Sequence, residues 1–218
     1  MAPTRGKAVA GMEKPELPVV LFSDYICPFC YIGDRRLARL AERYDLKVKR
    51  RFLEIHPDTP PTGVPVSELG YPPEQWRQMM ANISRMADEE KITLAERKIT
   101  TNSRKALLLA EAAQKEGAEV FETLNEKLFA AFFGEGRNIG DDGVLRSLAQ
   151  EAGVPPEIVE RAFREPAYEQ MLRANQAIAG QLGITGVPAY LIGNRIVMGA
   201  VPTETLLAAA REALSSPP

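Results

Sequence analysis

Residues 19–33 read VVLFSDYICPFCYIG, and the rest of the fold can be worked out from this stretch. The apolar run from Val19 to Phe22 has the length and the β-branched residues of a buried strand. A short turn follows, and Pro28 then suits the first turn of a helix, where a backbone N–H is not needed. The stretch therefore predicts a strand, a turn and a helix that starts at Cys27 and Pro28.

The two cysteines of the chain, Cys27 and Cys30, both lie at the start of this predicted helix. Free backbone N–H groups and the positive end of the helix dipole favour an anion there, so the Cys27 thiol is expected to ionise readily. Cys30 follows one turn later, within reach of Cys27 for a disulfide. The pattern favours dithiol–disulfide exchange, in which Cys27 attacks and Cys30 resolves the mixed disulfide. The alternatives are an inert buried pair and half of a zinc site, for which His56 is the remaining soft ligand.

Composition narrows the classes of function. Hydrophobic residues make up 45% of the chain and charged residues 26%, as in ordinary globular proteins. A net charge of −2 provides no basic surface for nucleic acid, and no run of 18 apolar residues predicts a membrane span. The N-terminal residues lack the apolar core of a secretory signal, so a cytoplasmic location is expected. A structural disulfide would be unusual there, which favours a redox-active or metal-binding pair.

Hydrophobic periodicity divides the chain into parts. A second strand is predicted at 47–55, and the short helical crossover implies that it pairs with the first strand in parallel. A helical pattern occupies 72–183, and a strand–turn–strand pattern over 189–198 and a closing helix over 203–214 follow. The predicted fold class is α/β: a β-α-β unit and a β-β-α unit share one sheet, with a large all-helical domain inserted between them. The predicted boundaries are a flexible N-terminal segment 1–17, the first sheet unit 18–62, the helical insertion 63–182 and the second sheet unit 183–218.

One predicted helix of the insertion begins at Pro73 and carries an apolar stripe made of Trp76, Met79, Met80 and Met86. Such a stripe is typical of a helix that faces a core. A Met-rich stripe could also line a groove for unfolded chains. The sequence leaves both interpretations open.

The combined motifs resemble a known family. A strand followed by Cys27-Pro28-Phe29-Cys30, a helical insertion, and Gly186-Val187-Pro188-Ala189 ahead of a hairpin resembles the DsbA-like thioredoxin-fold oxidoreductases. The stretches 22–33, 52–58 and 102–106 are similar to the FrnE-like branch, which is grouped with 2-hydroxychromene-2-carboxylate isomerases. The resemblance covers roughly residues 18–214. It implies a thioredoxin fold with an inserted helical domain and a cis Pro188 that faces the cysteine pair.

The resemblance also implies roles for the residues of both motifs. The implied catalytic residues are Cys27, Cys30 and Pro188, and the implied substrate-binding residues are Pro28, Phe29, Gly186 and Val187. The backbone N–H and C=O of Val187 would pair with an extended peptide. Phe29 stands where many DsbA-like proteins have His, and it cannot donate positive charge to a Cys27 thiolate.

Three further titratable residues lie near these motifs. Glu54, at the end of the predicted second strand, could accept a proton from Cys30 during resolution or be a surface carboxylate. Asp24 would oppose a Cys27 thiolate if it pointed there, although a turn or cap role is more common at such a position. His56, beside Pro57, is more typical of a loop than of a pH sensor.

The partners expected from the resemblance are protein or peptide thiols and disulfides. No metal and no cofactor are expected beyond the redox-active disulfide of Cys27 and Cys30, with glutathione or thioredoxin as a possible redox partner. Neither nucleic acid nor a membrane is an expected partner. The sequence leaves open whether the protein is a monomer or a homodimer.

Two other functions compete with a protein thiol–disulfide oxidoreductase. Kappa-class glutathione transferases and hydroxychromene-carboxylate isomerases share the insertion architecture, but they typically have Ser where Cys27 stands and need no partner at Cys30. A chaperone-like module could instead hold clients in its helical groove while the cysteines stay idle. The intact cysteine pair favours the oxidoreductase.

Overall fold

The computed structural model describes residues 14–96 and 98–215. Its strands are β1 (Glu16–Ser23), β2 (Asp45–Phe52), β3 (Val64–Pro65), β4 (Ile99–Thr100), β5 (Ala189–Ile192) and β6 (Arg195–Met198). Its α-helices are α1 (Pro28–Ala38), α2 (Pro73–Glu89), α3 (Arg104–Ala113), α4 (Ala118–Phe129), α5 (Asp142–Glu151), α6 (Pro156–Arg164), α7 (Pro166–Gln181) and α8 (Thr203–Ser215). Short 3₁₀ turns occur at Arg39–Glu42 and Val66–Leu69, and a π-helical turn, Ala130–Gly134, continues α4.

The main sheet has the strand order β2-β1-β5-β6. β1 pairs with β2 in parallel, with Val19 opposite Val48, and antiparallel to β5, with Phe22 opposite Ala189. β5 and β6 form the antiparallel hairpin. The predicted β-α-β and β-β-α units are therefore confirmed, and the pairing of β1 with β5 joins them into one sheet.

The first two strands begin earlier than their sequence patterns predicted. β1 starts at Glu16 and buries Leu17, so these two residues belong to the sheet rather than to the predicted flexible segment 1–17; residues 1–13 lie outside the described part of the chain. The ladder extends this far because the Pro15 carbonyl accepts a hydrogen bond from Asp45 N–H at 2.9 Å. β2 ends at Phe52 rather than at residue 55, since β1, its partner, ends at Ser23. Glu54 consequently lies in a loop.

Residues 73–181 form the predicted series of helices, α2 to α7. Proline occupies the first helical position of α2, α6 and α7, and Asp141 caps α5 by accepting a hydrogen bond from Val144 N–H at 2.9 Å. The expectation that the insertion 63–182 is all helical is wrong in one detail: β3 and β4 form a two-stranded antiparallel sheet. Strands of two residues are too short to produce a period in the sequence. The boundaries 62/63 and 182/183 stay predictions.

Helices cover both faces of the main sheet. Leu17, Val19 and Leu21 of β1 pack with residues of α1 and α8, while Phe22, on the opposite face, packs in a cluster with Ala179 of α7. This alternation follows from the two-residue period of a strand. A third and larger cluster contains Cys27, Cys30 and the apolar faces of α2 to α6, so the cysteines lie where the sheet unit meets the helices. Within residues 14–96 and 98–215, none of the helices combines the length and the apolar composition that a membrane span requires.

Candidate functional site

Cys27 and Cys30 lie at the start of α1, as the sequence predicted. Cys27 is the N-cap residue, with extended backbone angles (φ −92°, ψ 114°), and Pro28 opens the helix. Cys30 N–H donates to the Cys27 carbonyl at 3.0 Å, and Cys27 N–H donates to the Asp24 carbonyl at 3.2 Å. Both cysteines are free thiols; Cys27 is 6% exposed and Cys30 is not exposed at all. Cys27 is therefore the more accessible of the two sulfurs.

The surroundings of Cys27 favour its thiolate. A hydrogen bond from the Cys30 thiol is the main cause that lowers the pKa of Cys27 below its ordinary value. Burial acts against this effect, and the backbone N–H groups of Cys30 and Phe29 add to it. The charge of Asp24 raises the Cys27 pKa. The net direction is downward, which makes Cys27 the more reactive thiol.

Cys30 has the opposite character. Burial, followed by its hydrogen bond to Cys27, raises the pKa of Cys30 well above its ordinary value. The Asp24 N–H and the Ser23 hydroxyl, at the end of β1, donate to the Cys30 sulfur and partly offset this rise. The two sulfurs are adjacent but unequal: one tends to carry the charge while the other keeps the proton.

The loop before β5 faces the cysteines. The Val187–Pro188 peptide bond is cis, and the Cys27 thiol donates to the Val187 carbonyl at 3.7 Å. Pro188 is buried, Val187 is half-buried and Gly186 is exposed. The Pro188 carbonyl accepts a hydrogen bond from Gly199 N–H at 2.7 Å, which fixes the loop to the end of β6. The structure thus brings together two segments that lie 160 residues apart in the sequence.

Asp24 is a fully buried carboxyl group immediately in front of the cysteine motif. Its side chain accepts hydrogen bonds from Ile26 N–H (3.2 Å), Ile55 N–H (2.9 Å) and the Ser103 hydroxyl (3.0 Å). The turn role expected at this position is present in the bond to Ile26. Burial outweighs these three donors and raises the pKa of Asp24 to about 6. Asp24 therefore changes its charge near neutral pH, and that charge acts on Cys27.

Glu54 is held by other partners. Its side chain, 10% exposed, forms an ion pair with Arg104 at 2.8 Å and accepts a hydrogen bond from Asn102 Nδ2 at 2.9 Å. The alternative of a surface carboxylate is wrong, because the loop after β2 packs against the residues at the start of α3, and this packing covers most of the Glu54 side chain. A proton-relay role for Glu54 stays a prediction; Asp24 is the carboxyl group whose charge reaches Cys27, and the charge of Glu54 acts on Asp24.

The remaining predicted residues lie around the cysteines or away from them. Pro28 and Phe29 are half-buried, and Phe29, Val187, Met79 and Met80 pack at the edge of the core cluster that contains Cys27. Met86 is buried in that cluster, so the core interpretation of the α2 stripe holds for it. His56 lies half-buried in the loop after β2. Among residues 14–96 and 98–215, no group of three or more His, Cys, Asp or Glu side chains could hold a metal ion.

No sequence motif singles out Ser23, Ser103 or Tyr190 as site residues. Ser23 and Ser103 read as a strand end and a helix cap, and Tyr190 as an ordinary strand residue. In the structure, Ser23 contacts Cys30, Ser103 contacts Asp24, and Tyr190 is buried near the cysteines. The contacts of Ser103 and Tyr190 cross long sequence distances, and Ser23 meets Cys30 only through the turn between β1 and α1, so no periodic pattern could have revealed them.

A model of the DSBA-like thioredoxin domain matches residues 18–211. The chain belongs to this family. Its thioredoxin fold agrees with the crystal structure of a probable DsbA oxidoreductase from Streptomyces coelicolor, which is 28% identical, has a TM-score of 0.83, and shares 93% of this chain and 92% of that one. The predicted family and fold class are thereby confirmed.

Other proteins that this chain is similar to differ in what their names state. YwbO of Bacillus subtilis is 26% identical over 183 residues, covering 84% of this chain and 90% of that protein. The 2-hydroxychromene-2-carboxylate isomerase of Sphingobium xenophagum is 24% identical over 182 residues, covering 82% and 90%. The cytosolic disulfide reductase DsbM of Pseudomonas aeruginosa, solved with GSH, shares the fold with a TM-score of 0.66 and 18% identity over 90% and 95% of the two chains.

Proposed function

We propose that this DSBA-like protein is a thiol–disulfide oxidoreductase that exchanges disulfides with protein or small-thiol substrates through Cys27 and Cys30. The inequality of the two sulfurs is the observation that carries the proposal. The Cys30 thiol donates to Cys27 and lowers the Cys27 pKa, while burial keeps Cys30 protonated. A thiolate at a helix N-terminus with a protonated thiol behind it suits one sulfur for attack and the other for resolution.

The exchange proceeds in two balanced steps. The Cys27 thiolate attacks one sulfur of a substrate disulfide, a new S–S bond forms, and the first substrate thiolate leaves and takes up a proton. Cys30 then loses its proton and attacks the Cys27 sulfur, and the second substrate thiolate leaves. The substrate gains two electrons and the cysteine pair loses two. The reverse sequence oxidises a substrate dithiol.

The loop at Pro188 is the proposed substrate-binding edge. The Val187 carbonyl lies 3.7 Å from the Cys27 sulfur, and Gly186 before it is exposed. An extended substrate segment that pairs with the Val187 backbone would bring its own cysteine next to Cys27. The half-buried Pro28 and Phe29 would form the opposite side of this contact.

The redox partner sets the direction of the reaction. A reductase needs an electron donor such as glutathione or thioredoxin, and an oxidase needs an acceptor. No cofactor beyond the cysteine pair enters the proposed reaction. A cytoplasmic location and the choice between monomer and homodimer stay predictions.

Single cysteine variants test the proposal. We expect Cys27→Ala to abolish reduction of a protein disulfide such as that of insulin, because no other thiol can begin the exchange. Cys30→Ala should keep the first step and accumulate one mixed disulfide per protein, visible by mass spectrometry under non-reducing conditions. Full insulin reduction by Cys27→Ala would refute the proposal.

A glutathione-dependent isomerase is the second candidate, favoured by the 24% identity to the Sphingobium isomerase. In this reaction Cys27 would bind or activate glutathione and Cys30 would be dispensable. The Cys30→Ala variant separates the two candidates, since it should lose turnover as an oxidoreductase and keep it as an isomerase. Turnover of 2-hydroxychromene-2-carboxylate with glutathione by this variant would favour the isomerase.

A further inference from the structure

The Tyr190 hydroxyl in β5 is a buried polar group without a partner. Tyr190 has no exposed surface, and within the described ranges its Oη is the one buried side-chain nitrogen or oxygen that makes no hydrogen bond. Native proteins rarely leave a buried donor unpaired, because such a group costs free energy that a phenylalanine would not. An exception of this kind calls for an explanation.

The unpaired hydroxyl lies directly against the helix that carries the cysteines. A Cβ atom added to Gly33 would lie 2.2 Å from Tyr190 Oη and 3.0 Å from Pro188 Cγ. Gly33 follows Cys30 by three residues, so both lie on the same face of α1. The absence of a side chain at Gly33 therefore lets the hydroxyl approach the helical turn that contains Cys30, beside the cis-proline loop.

The influences on the pKa of Tyr190 agree with its position against the turn that contains Cys30. Burial raises the pKa of Tyr190 well above its ordinary value, and the charge of Cys30 is the next cause, ahead of that of Asp34. A negative charge on the Cys30 sulfur thus acts on the Tyr190 hydroxyl and favours its protonated form. A protonated phenol is a hydrogen-bond donor, and a thiolate is an acceptor.

Resolution of a mixed disulfide requires an unfavourable ionisation of the Cys30 thiol. Its sulfur must become an anion at a position with no exposure to water. The Ser23 hydroxyl and the Asp24 N–H already donate to it. Its bond to Cys27 is lost at this stage, since the Cys30 proton has gone. A further donor turned toward this sulfur would stabilise the attacking thiolate.

We propose that the Tyr190 hydroxyl donates a hydrogen bond to the Cys30 sulfur once that thiol has lost its proton. The donor that is unpaired in the dithiol form becomes paired when Cys30 attacks the mixed disulfide. The proton from Cys30 ends on the substrate thiolate that leaves Cys27, and Tyr190 keeps its own proton throughout. This role rests on the proposed exchange reaction and assigns a residue to its second step.

Tyr190→Phe tests the role because it removes one oxygen atom and no apolar contact. The reduced protein is mixed with the aromatic disulfide 5,5′-dithiobis(2-nitrobenzoate), and release of the coloured thiolate is followed by stopped flow. Attack by Cys27 releases the first thiolate and resolution by Cys30 releases the second. We expect Tyr190→Phe to leave the first phase unchanged and to slow the second about tenfold, the effect of losing a hydrogen bond to a charged group. Its melting temperature should equal or exceed that of the wild type.

Tyr25→Phe is the matched control. Tyr25 is as deeply buried, but its hydroxyl donates to Asn125 Oδ1 at 3.0 Å, and its pKa is raised by burial against the opposing charge of Arg50. This variant should lose stability and keep both phases.

Each outcome for Tyr190→Phe either supports or contradicts the proposed hydrogen bond from Tyr190 to the Cys30 sulfur. An unchanged second phase, an equal slowing of both phases, or a lower melting temperature would overturn it, since the last result would mean that the hydroxyl is already paired in the dithiol form. A second readout uses the Cys27→Ala background, where Tyr190→Phe should raise the pKa of Cys30. A wild-type protein that releases no thiolate at all would contradict the proposed function instead.

Discussion

Asp24 and Asp34 are two buried aspartates at either side of the first turns of α1, and their partners differ. Asp34 accepts hydrogen bonds from the Arg50 guanidinium at 2.8 Å and from Asn125 at 3.2 Å. The three groups that donate to Asp24 are all uncharged. A cation compensates for a buried carboxylate far better than dipoles do. Asp34 therefore serves as a joint between α1, β2 and α4, whereas Asp24 titrates near neutral pH.

The two aspartates also differ in how they relate to the cysteine pair. Asp34 forms an ion pair with Arg50. Tyr25, in the same cluster, donates a hydrogen bond to Asn125. Asp24 lies beside Cys27, and its charge opposes the thiolate. The carboxyl group that one proton can neutralise is thus the one whose charge acts on Cys27, whereas the charge of Asp34 is compensated by the Arg50 cation.

The largest effect is expected from removal of the cation. Arg50→Met would leave Asp34 buried without its charged partner, and we expect the free energy of unfolding to fall by about 3–5 kcal/mol. Urea denaturation followed by circular dichroism measures this change. Arg35→Met is the control: Arg35 pairs with Glu126, both side chains are more than 40% exposed, and the loss should stay below about 1 kcal/mol. Equal losses of unfolding free energy in Arg50→Met and Arg35→Met would contradict the argument that the Arg50 cation compensates for the buried Asp34 carboxylate.

Asp24 predicts a pH dependence of stability. Its pKa in the folded protein is about 6, above the ordinary value of 3.8, so the folded state binds a proton more tightly than the unfolded state. The resulting stability is fully present below pH 4 and is lost as the pH rises through 6, a change on the order of 3 kcal/mol. Urea titrations from pH 4 to 7 should show this slope in the wild type and a smaller one in Asp24→Asn, where Glu111, whose pKa burial also raises, remains.

The same variant probes the coupling to the thiol. Because the charge of Asp24 raises the Cys27 pKa, Asp24→Asn should lower that pKa further. The rate of alkylation by iodoacetamide against pH reports it. An identical pH profile in Asp24→Asn would mean that the carboxylate and the sulfur are not coupled.

The smallest effect concerns one of the uncharged donors. Ser103→Ala removes the hydroxyl that donates to Asp24 and should destabilise the protein by about 1 kcal/mol. The pKa of Asp24 should rise, because this bond favours its charged form. Ser147→Ala is the control, since its hydroxyl donates to Glu151 on the exposed side of α5. That variant should leave the pH dependence unchanged.

The sequence predicted the elements of the fold better than the contacts between them. Val19 to Phe22 and Pro28 specify the first strand and helix by short-range rules, and those rules hold in the structure. The environment of Asp24 depends on Ser103, 79 residues away, and on a loop after β2 that carries no periodic signal. Glu54 was selected for its position near a strand end, but Arg104, 50 residues later, binds it. Charge partners of this kind are set by tertiary packing.

β2 forms one edge of the main sheet, and its sequence has a consequence for self-association. The strand carries Lys47, Lys49 and Arg51 on one face and Arg50 on the other. A second copy that added its own β2 to this edge would bring the cations of Lys47, Lys49 and Arg51 close to those of the first copy, which is unfavourable. At the end of the strand, Asn175 also occupies the Phe52 carbonyl. The basic edge therefore protects the protein against edge-to-edge aggregation at the open side of its sheet.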